Sequence, residues 1–149
     1  VTCSVQAHDV WGESGNPVAL SLNTSSVALS RAKLLEEPVA CCYLCSLQDG
    51  TVIMDPSPKQ VEDSLAELLY AGTRTEVVMM ECSSPTDKIP EDTLAKLMKV
   101  AHSALGPIFG VQDELISAVE EEDDKDDRML RQDLGLPPLD ENDEEGASL

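Results

Sequence analysis

Two apolar, β-rich runs joined by a short turn constrain this chain to an antiparallel sheet. Residues 39–47 and 51–54 flank Gln48-Asp49-Gly50. Asp-Gly between two such runs is a strong hairpin signal, because glycine accepts a positive φ without a Cβ penalty. Asp55-Pro56-Ser57-Pro58 then ends the second strand, since proline cannot donate to a β-ladder. The sequence therefore predicts a β-hairpin in the first half of the chain.

A second hairpin is predicted from residues 65–71 and 76–82, which flank Gly72-Thr73-Arg74-Thr75. Its return strand contains Val77-Val78-Met79-Met80, which is apolar on both faces and therefore predicts a central strand. Residues 61–64, between the hairpins, fit either a helical turn or a loop.

Two helices and one further strand complete the predicted elements. Residues 2–8 alternate between apolar and polar, which predicts a half-buried strand. Asn16-Pro17 is a helix start, with an N-cap side chain and proline at the first helical position, and this helix is expected to run to about Lys33. A second helix begins at Pro90-Glu91-Asp92, where acids favour the helix dipole. One buried face is predicted from the spacing of Leu94, Leu97, Met98, Ala101 and Leu105.

The predicted order β-α-ββ-ββ-α defines an α+β fold with an antiparallel sheet and packed helices. Gly106-Pro107 is expected to interrupt the last helix, and its apolar stripe resumes as far as Val119. Residues 120–149 hold thirteen acids and three bases and are predicted to be an acidic, disordered tail or linker. The predicted domain therefore covers residues 1–119.

Charge narrows the classes of function. The 149 residues contain 29 acids and 10 bases, and residues 1–119 alone carry a net charge of −9. Nucleic-acid binding depends on clustered Lys and Arg that release counterions, and the sequence has no such cluster. Autonomous RNA or DNA binding and docking on an anionic membrane are disfavoured. The longest apolar run is also shorter than the roughly 18 residues of a membrane span.

The cysteines are interpreted as structural. Cys42 and Cys45 have the C-x-x-C spacing of metal knuckles and redox turns, but they lie in a predicted strand. Residues three apart in a strand point to opposite faces, so the two sulfurs cannot converge. Buried, reduced thiols in a reducing intracellular compartment are the better interpretation.

The sequence contains none of the common catalytic or metal-binding motifs. His8 and His102 are far apart and are interpreted as ordinary surface or boundary histidines, and Asp9 with Glu13 as turn-forming acids. Asp140, Asn142 and Glu144 alternate as in an EF-hand, but Glu145 occupies the position that needs glycine. The residues thus predict a non-catalytic domain, with no catalytic, RNA-binding or metal-binding residue.

Six segments, in order, resemble the polyribonucleotide nucleotidyltransferase (polynucleotide phosphorylase) family. The helix Asn16–Ser30 is similar to the family pattern D-P-x-x-x-A-x-N-A-A-S-A-A-L-S. The remaining five are Glu37-Pro38-Val39-Ala40, Asp55-Pro56-Ser57, Tyr70-Ala71-Gly72-Thr73, Val77-Val78-Met79-Met80-Glu81 and Lys96–His102. The last segment is similar to plant-organelle members. Ala40 and Asp55 depart from the family, which has glycine and asparagine there.

The resemblance implies the C-terminal half of a ribonuclease-PH-like core, the first of two in the family enzyme. That enzyme is a ring-shaped homotrimer that degrades RNA from its 3′ end with inorganic phosphate and Mg²⁺, and that also adds tails. Its catalytic groups lie in the second core and its basic RNA-contacting motif in the other half of the first. No functional residue therefore transfers to this segment, and no cofactor is expected to bind it.

The expected partners are the rest of a parent polypeptide and the other subunits of the ring, with RNA bound only through the parent. The expected location is a chloroplast or mitochondrion. Two alternatives remain at this point: a non-catalytic ring subunit of the exosome type, and an acidic interaction module.

Overall fold

From the first helix onward the elements follow the predicted order, with one additional short helix; the strand predicted before that helix is not among the described elements. The computed structural model describes residues 2–5, 16–85 and 88–133, without the side chains of 119–124, 126–128 and 130–133. The elements are α1 (Pro17–Arg31), β1 (Ala40–Leu47), β2 (Val52–Met54), α2 (Pro58–Glu62), β3 (Ser64–Gly72), β4 (Val77–Ser83) and α3 (Glu91–Asp133). The four strands form one antiparallel sheet of order β2-β1-β3-β4, which confirms the α+β prediction.

The chain divides into two compact units, Val1–Asp113 and Glu114–Leu149. The first contains the whole sheet, and the described part of the second is helical. No helix in the described ranges is both long enough and apolar enough to cross a membrane.

Both faces of the sheet are covered, and each face has its own apolar cluster. On one face, the aliphatic side chains of β1 and β3 pack against α3 through Leu97, Ala101, Leu105 and Phe109. On the other, Cys41, Leu69 and Ala71 pack against Ala19 and Leu22 of α1. β1 and β3 are buried on both faces because α3 packs on one face and α1 on the other.

Local chemistry explains the predicted helix start and hairpin. The Asn16 side chain accepts hydrogen bonds from the backbone amides of Val18 and Ala19, and Pro17 occupies the first helical position. Gly50 has φ +80°, the left-handed conformation that the hairpin prediction requires. Both predictions are confirmed.

Side chains complete the part of β1 that β2 is too short to cover. β2 pairs only with residues 44–46 of β1. Beyond it, the Asn23 amide donates to the Cys41 carbonyl at 2.8 Å and accepts from the Cys41 amide at 2.7 Å. Ser26 Oγ accepts from the Val39 amide at 2.8 Å, and Gln112 Nε2 donates to the Val39 carbonyl at 3.0 Å. Buried backbone groups that would lack a strand neighbour are thereby paired.

Among the described residues, the opposite edge of the sheet is open, and here the prediction of a central strand is wrong. β4 is the last strand of the sheet, and its one partner strand in residues 2–5, 16–85 and 88–133 is β3. Val77, Val78 and Met80 are 53%, 60% and 45% exposed. Apolar residues on both faces are typical of a buried strand. They do not specify the position of that strand in the order of the sheet.

The turn between β3 and β4 is held against α3 by one arginine. Arg74 Nη2 donates to both carboxylate oxygens of Asp113, at 2.8 and 2.7 Å, and its guanidinium lies 4.6 Å from the centroid of the Phe109 ring. Glu37 accepts a hydrogen bond from the Arg74 backbone amide at 3.1 Å.

Two further predictions differ from the structure, and one segment left open by the sequence is partly helical. Residues 2–5 are not in a strand, because none of the four strands of the sheet pairs with them. Residues 6–8, the rest of the predicted strand, lie outside the described residues. α2 occupies part of the ambiguous segment, because Ser57 and Gln60 form a capping box. Pro107 lies inside α3 rather than ending it, since the buried side chains of Leu105 and Phe109 hold the helix on the sheet on either side of it.

The predicted disorder from residue 120 is wrong as far as Asp133, where α3 ends. The sequence places Glu121, Asp124 and Asp127 each four residues before a Lys or Arg, a spacing that favours helix in an acidic segment. Residues 134–149 lie outside the described residues.

Candidate functional site

A surface cavity of about 240 Å³ opens on the α1 face of the sheet, beside the free edge of β4. It is lined by Asn16, Val18, Tyr43, Glu67, Leu69, Glu81 and Ser83. Three adjacent strands and the beginning of α1 therefore contribute to it, and two of its lining residues are carboxylates.

The register of the sheet brings the polar groups of this cavity together. Glu67 on β3 is opposite Ser83 on β4, and Tyr43 on β1 is opposite Leu69 on β3. Because side chains alternate across a strand, all of these residues project from the same face. The Glu67 carboxylate accepts hydrogen bonds from the Tyr43 and Ser83 hydroxyls, one on each oxygen.

Tyr43 is held as a protonated donor. Burial raises the pKa of its phenol above the usual value, and the hydrogen bond to Glu67 and the charge of Glu67 raise it further. The half-buried Glu67 side chain thus has two hydroxyl donors. A carboxylate has about four acceptor positions, so Glu67 keeps acceptor capacity directed at the cavity.

The lining of the cavity favours a cation. The Ser83 hydroxyl donates to the Glu67 carboxylate, and no histidine is among the lining residues. The Asn16 side chain already caps the first amides of α1, so the anion-binding capacity of that helix terminus is used. The remaining polar groups of the cavity are the carboxylates of Glu67 and Glu81, which favour binding of a Lys or Arg side chain.

The residues of this segment do not fit the Mg²⁺ and phosphate that the resemblance implies for the parent enzyme. No group of three or more His, Cys, Asp or Glu side chains with a metal-binding arrangement occurs in the parts of the chain that the structure describes. Phosphate would meet the carboxylates of Glu67 and Glu81.

The structure does not bring together the residues with catalytic or metal-binding side chains that were singled out in the sequence. Cys42 packs on the α3 face and is 3% exposed, while Cys45 lies on the opposite side of β1, as strand alternation predicts. The Nδ1 atom of His102, on α3, lies 3.4 Å from the Tyr70 hydroxyl. Tyr70 belongs to the cluster on the α3 face of the sheet, whereas the cavity lies on the α1 face. His8, Asp9, Glu13 and the tail residues Asp140, Asn142 and Glu144 lie outside the described residues.

Sequence reasoning missed the cavity, although one signal for it was available. Glu67 is the only charged residue in the apolar run of β3. A charge within such a run indicates a polar partner, and here the partners come from the neighbouring strands. Their identity depends on register, which the sequence did not specify.

Buried thiols give a first testable prediction. Burial raises the pKa of Cys41 to about 11 and that of Cys42 to about 12, from 9.0 in the unfolded reference. In the native chain at pH 8, a thiol reagent is expected to modify the exposed Cys3 first, and Cys41, Cys42 and Cys45 only after denaturation. Modification of Cys42 as fast as Cys3 would contradict the packing described for β1.

The same thiols predict how stability depends on pH. The folded chain disfavours the thiolates, so their contribution to the free energy of unfolding is complete below pH 9 and is lost as the pH rises toward 11. Denaturant titrations at several pH values measure this slope. In the Cys42→Ala variant, the free energy of unfolding is expected to fall less steeply with pH in this range. An unchanged slope would contradict the raised pKa of Cys42.

Comparisons with known proteins agree with the fold. Residues 37–104 match the 3′ exoribonuclease family, domain 2. A polyribonucleotide nucleotidyltransferase of Streptococcus gordonii is 31% identical over 113 residues, covering 75% of this chain and 15% of the relative. That of Streptococcus sanguinis is 31% identical over 110 residues, covering 73% and 15%. The crystal structure of rice (Oryza sativa) Rrp46 has a TM-score of 0.62 at 14% identity, covering 71% of this chain and 50% of that one.

The sheet and its helices thus form a ribonuclease-PH-like domain. The match of residues 37–104 to the 3′ exoribonuclease family agrees with the resemblance seen in the sequence. The curated relatives are polyribonucleotide nucleotidyltransferases, of whose length this chain spans 15%.

Proposed function

We propose that this chain is a structural domain of a polynucleotide phosphorylase, the phosphate-dependent 3′-to-5′ exoribonuclease that also makes RNA tails, and that it lacks an active site of its own. The observation that carries the proposal is the family match of residues 37–104, together with 31% identity to polyribonucleotide nucleotidyltransferases. In this account the segment is the C-terminal half of the first core. Phosphate, Mg²⁺ and RNA bind elsewhere in the parent polypeptide.

The charge distribution supports a scaffold role. The chain has a formal charge of −19, and two of the residues that line the cavity on the α1 face are the carboxylates Glu67 and Glu81. Such a surface repels a phosphate backbone, so RNA contact requires basic segments outside this domain. The proposed partners are therefore protein: the rest of the parent and the other subunits of a homotrimeric ring in a chloroplast or mitochondrion.

A phosphorolysis assay tests the proposal. The 149-residue chain, incubated with poly(A), Mg²⁺ and inorganic phosphate, is expected to release no ADP. The native polypeptide that contains this segment, purified from its source, is expected to shorten poly(A) only when phosphate is present. ADP release by the isolated chain would contradict the absence of an active site. Failure of the native polypeptide to release ADP would contradict the parent activity.

A second candidate is a non-catalytic ring subunit of the exosome type. It is supported by the different lengths of the related chains. The aligned part of this chain covers half of rice Rrp46 but 15% of the bacterial relatives, so the same fold also occurs in much shorter chains. This candidate predicts a native polypeptide with a single core and stable partner subunits.

A further inference from the structure

The two edges of the sheet differ in how far their backbone groups are covered. On the side of β1 that β2 leaves uncovered, Asn23, Ser26 and Gln112 pair the backbone of Val39 and Cys41. β2 itself has three residues, too few to serve as a template. β4, in contrast, has seven residues and contains neither proline nor lysine, which are common protections of an edge strand.

Several side chains of β4 are also uncovered by the part of the chain that the structure describes. Val77, Val78 and Met80 are large, apolar and about half exposed. Alternate residues of an edge strand direct their N–H and C=O groups away from the sheet, where an added strand can pair with them. A long, apolar edge of this kind is a site for strand addition.

The two faces of β4 differ in chemistry, which specifies the incoming strand. Glu81 lines the cavity on the α1 face together with Glu67. The next residue in either direction lies on the opposite face, where Cys82 packs against the α3 cluster and Met80 is exposed beside it. A strand paired with β4 therefore meets carboxylates on one face and apolar side chains on the other.

We propose that β4 accepts an extended polypeptide segment of another protein as a fifth strand, and that this segment alternates basic and apolar residues, with an arginine or lysine entering the cavity beside Glu67 and Glu81. Arginine is the better fit, since its planar fork donates to carboxylates through two hydrogen bonds. At this edge, charge complementarity selects a basic segment over a second copy of the same edge, which carries the same carboxylates. The inference stands on the edge and the cavity, and does not depend on the proposed enzymatic parent.

A peptide of alternating arginine and valine, about seven residues long to match β4, tests the proposal with the full chain. We expect binding by isothermal titration calorimetry, and slower hydrogen exchange of the amides of Val77–Ser83 in the complex. The same peptide with N-methylated backbone amides is expected not to bind, because it cannot complete the ladder. A peptide with glutamate in place of arginine is expected to bind at least about tenfold more weakly.

Two charge-reversal variants form a matched pair. Glu81→Lys is expected to weaken binding of the arginine peptide by about tenfold, because it places a like charge at the cavity. Glu36→Lys makes the same change at an exposed residue in the segment between α1 and β1, and is expected to leave the affinity unchanged.

Several results would overturn the proposal. They are no binding of the arginine peptide, equal binding of the N-methylated peptide, equal weakening by the two variants, or exchange protection outside β4. Dimerisation of the peptide-free chain with protection of the same amides would assign the edge to a second copy, and would also overturn it.

Discussion

Leu68→Ala is expected to lower the free energy of unfolding by about 3–5 kcal/mol, which is a large part of the stability of a domain of this size. Leu68 lies on β3, is 0% exposed, and packs in the cluster between the sheet and α3. Removing three carbons there loses their transfer free energy and leaves a cavity among close-packed neighbours. The measurement is urea denaturation followed by far-ultraviolet circular dichroism.

The matched control for this variant is Leu20→Ala, the same substitution on the outer side of α1. Leu20 is 68% exposed, so the loss is expected to stay within about 0.5 kcal/mol. Equal losses for the two variants would mean that the face between the sheet and α3 is not the core.

Asn23→Ala is expected to destabilise the chain by about 2–4 kcal/mol, because it leaves two backbone groups of Cys41 without partners. Asn23 accepts from the Cys41 amide and donates to its carbonyl, where β2 is absent. Cys41 is 1% exposed, so water does not replace these bonds. Asn23 also belongs to the helix motif that resembles the polynucleotide phosphorylases, which gives this motif residue a structural role.

Thr24→Ala, at the neighbouring position of α1, is the control for Asn23→Ala. Thr24 is exposed, and its hydroxyl donates only to the Leu20 carbonyl of its own helix. Its loss is expected to change stability by less than about 0.5 kcal/mol. Thermal unfolding of both variants compares the two positions, and a neutral Asn23→Ala would refute the edge-closing role.

Local signals in the sequence predicted the elements of the fold, since each depends on residues close together in the chain. Asn16-Pro17 specifies a helix start and Asp49-Gly50 a tight turn, and both occur as predicted. The start of α2 was not predicted, because Ser57 of its capping box lies in the segment interpreted as a strand stop and Gln60 lies just beyond that segment. Pro107 lies within α3, since packing on the sheet outweighs its local cost.

Features that depend on the arrangement of strands could not be predicted. The run Val77–Met80 reads as buried, yet strand order places it at the edge. The hydrogen bonds of Glu67 with Tyr43 and Ser83 join residues that only register brings together. Pairing across a sheet is a non-local property, and here it positions both the candidate cavity and the open edge.

The most direct test of the central claim is the intact mass of the native polypeptide that carries this segment, captured from its source with an antibody against residues 1–119. A domain within a polynucleotide phosphorylase predicts a mass several times the 16.0 kDa of this chain. A mass close to 16.0 kDa would contradict that account and favour a free scaffold or interaction protein.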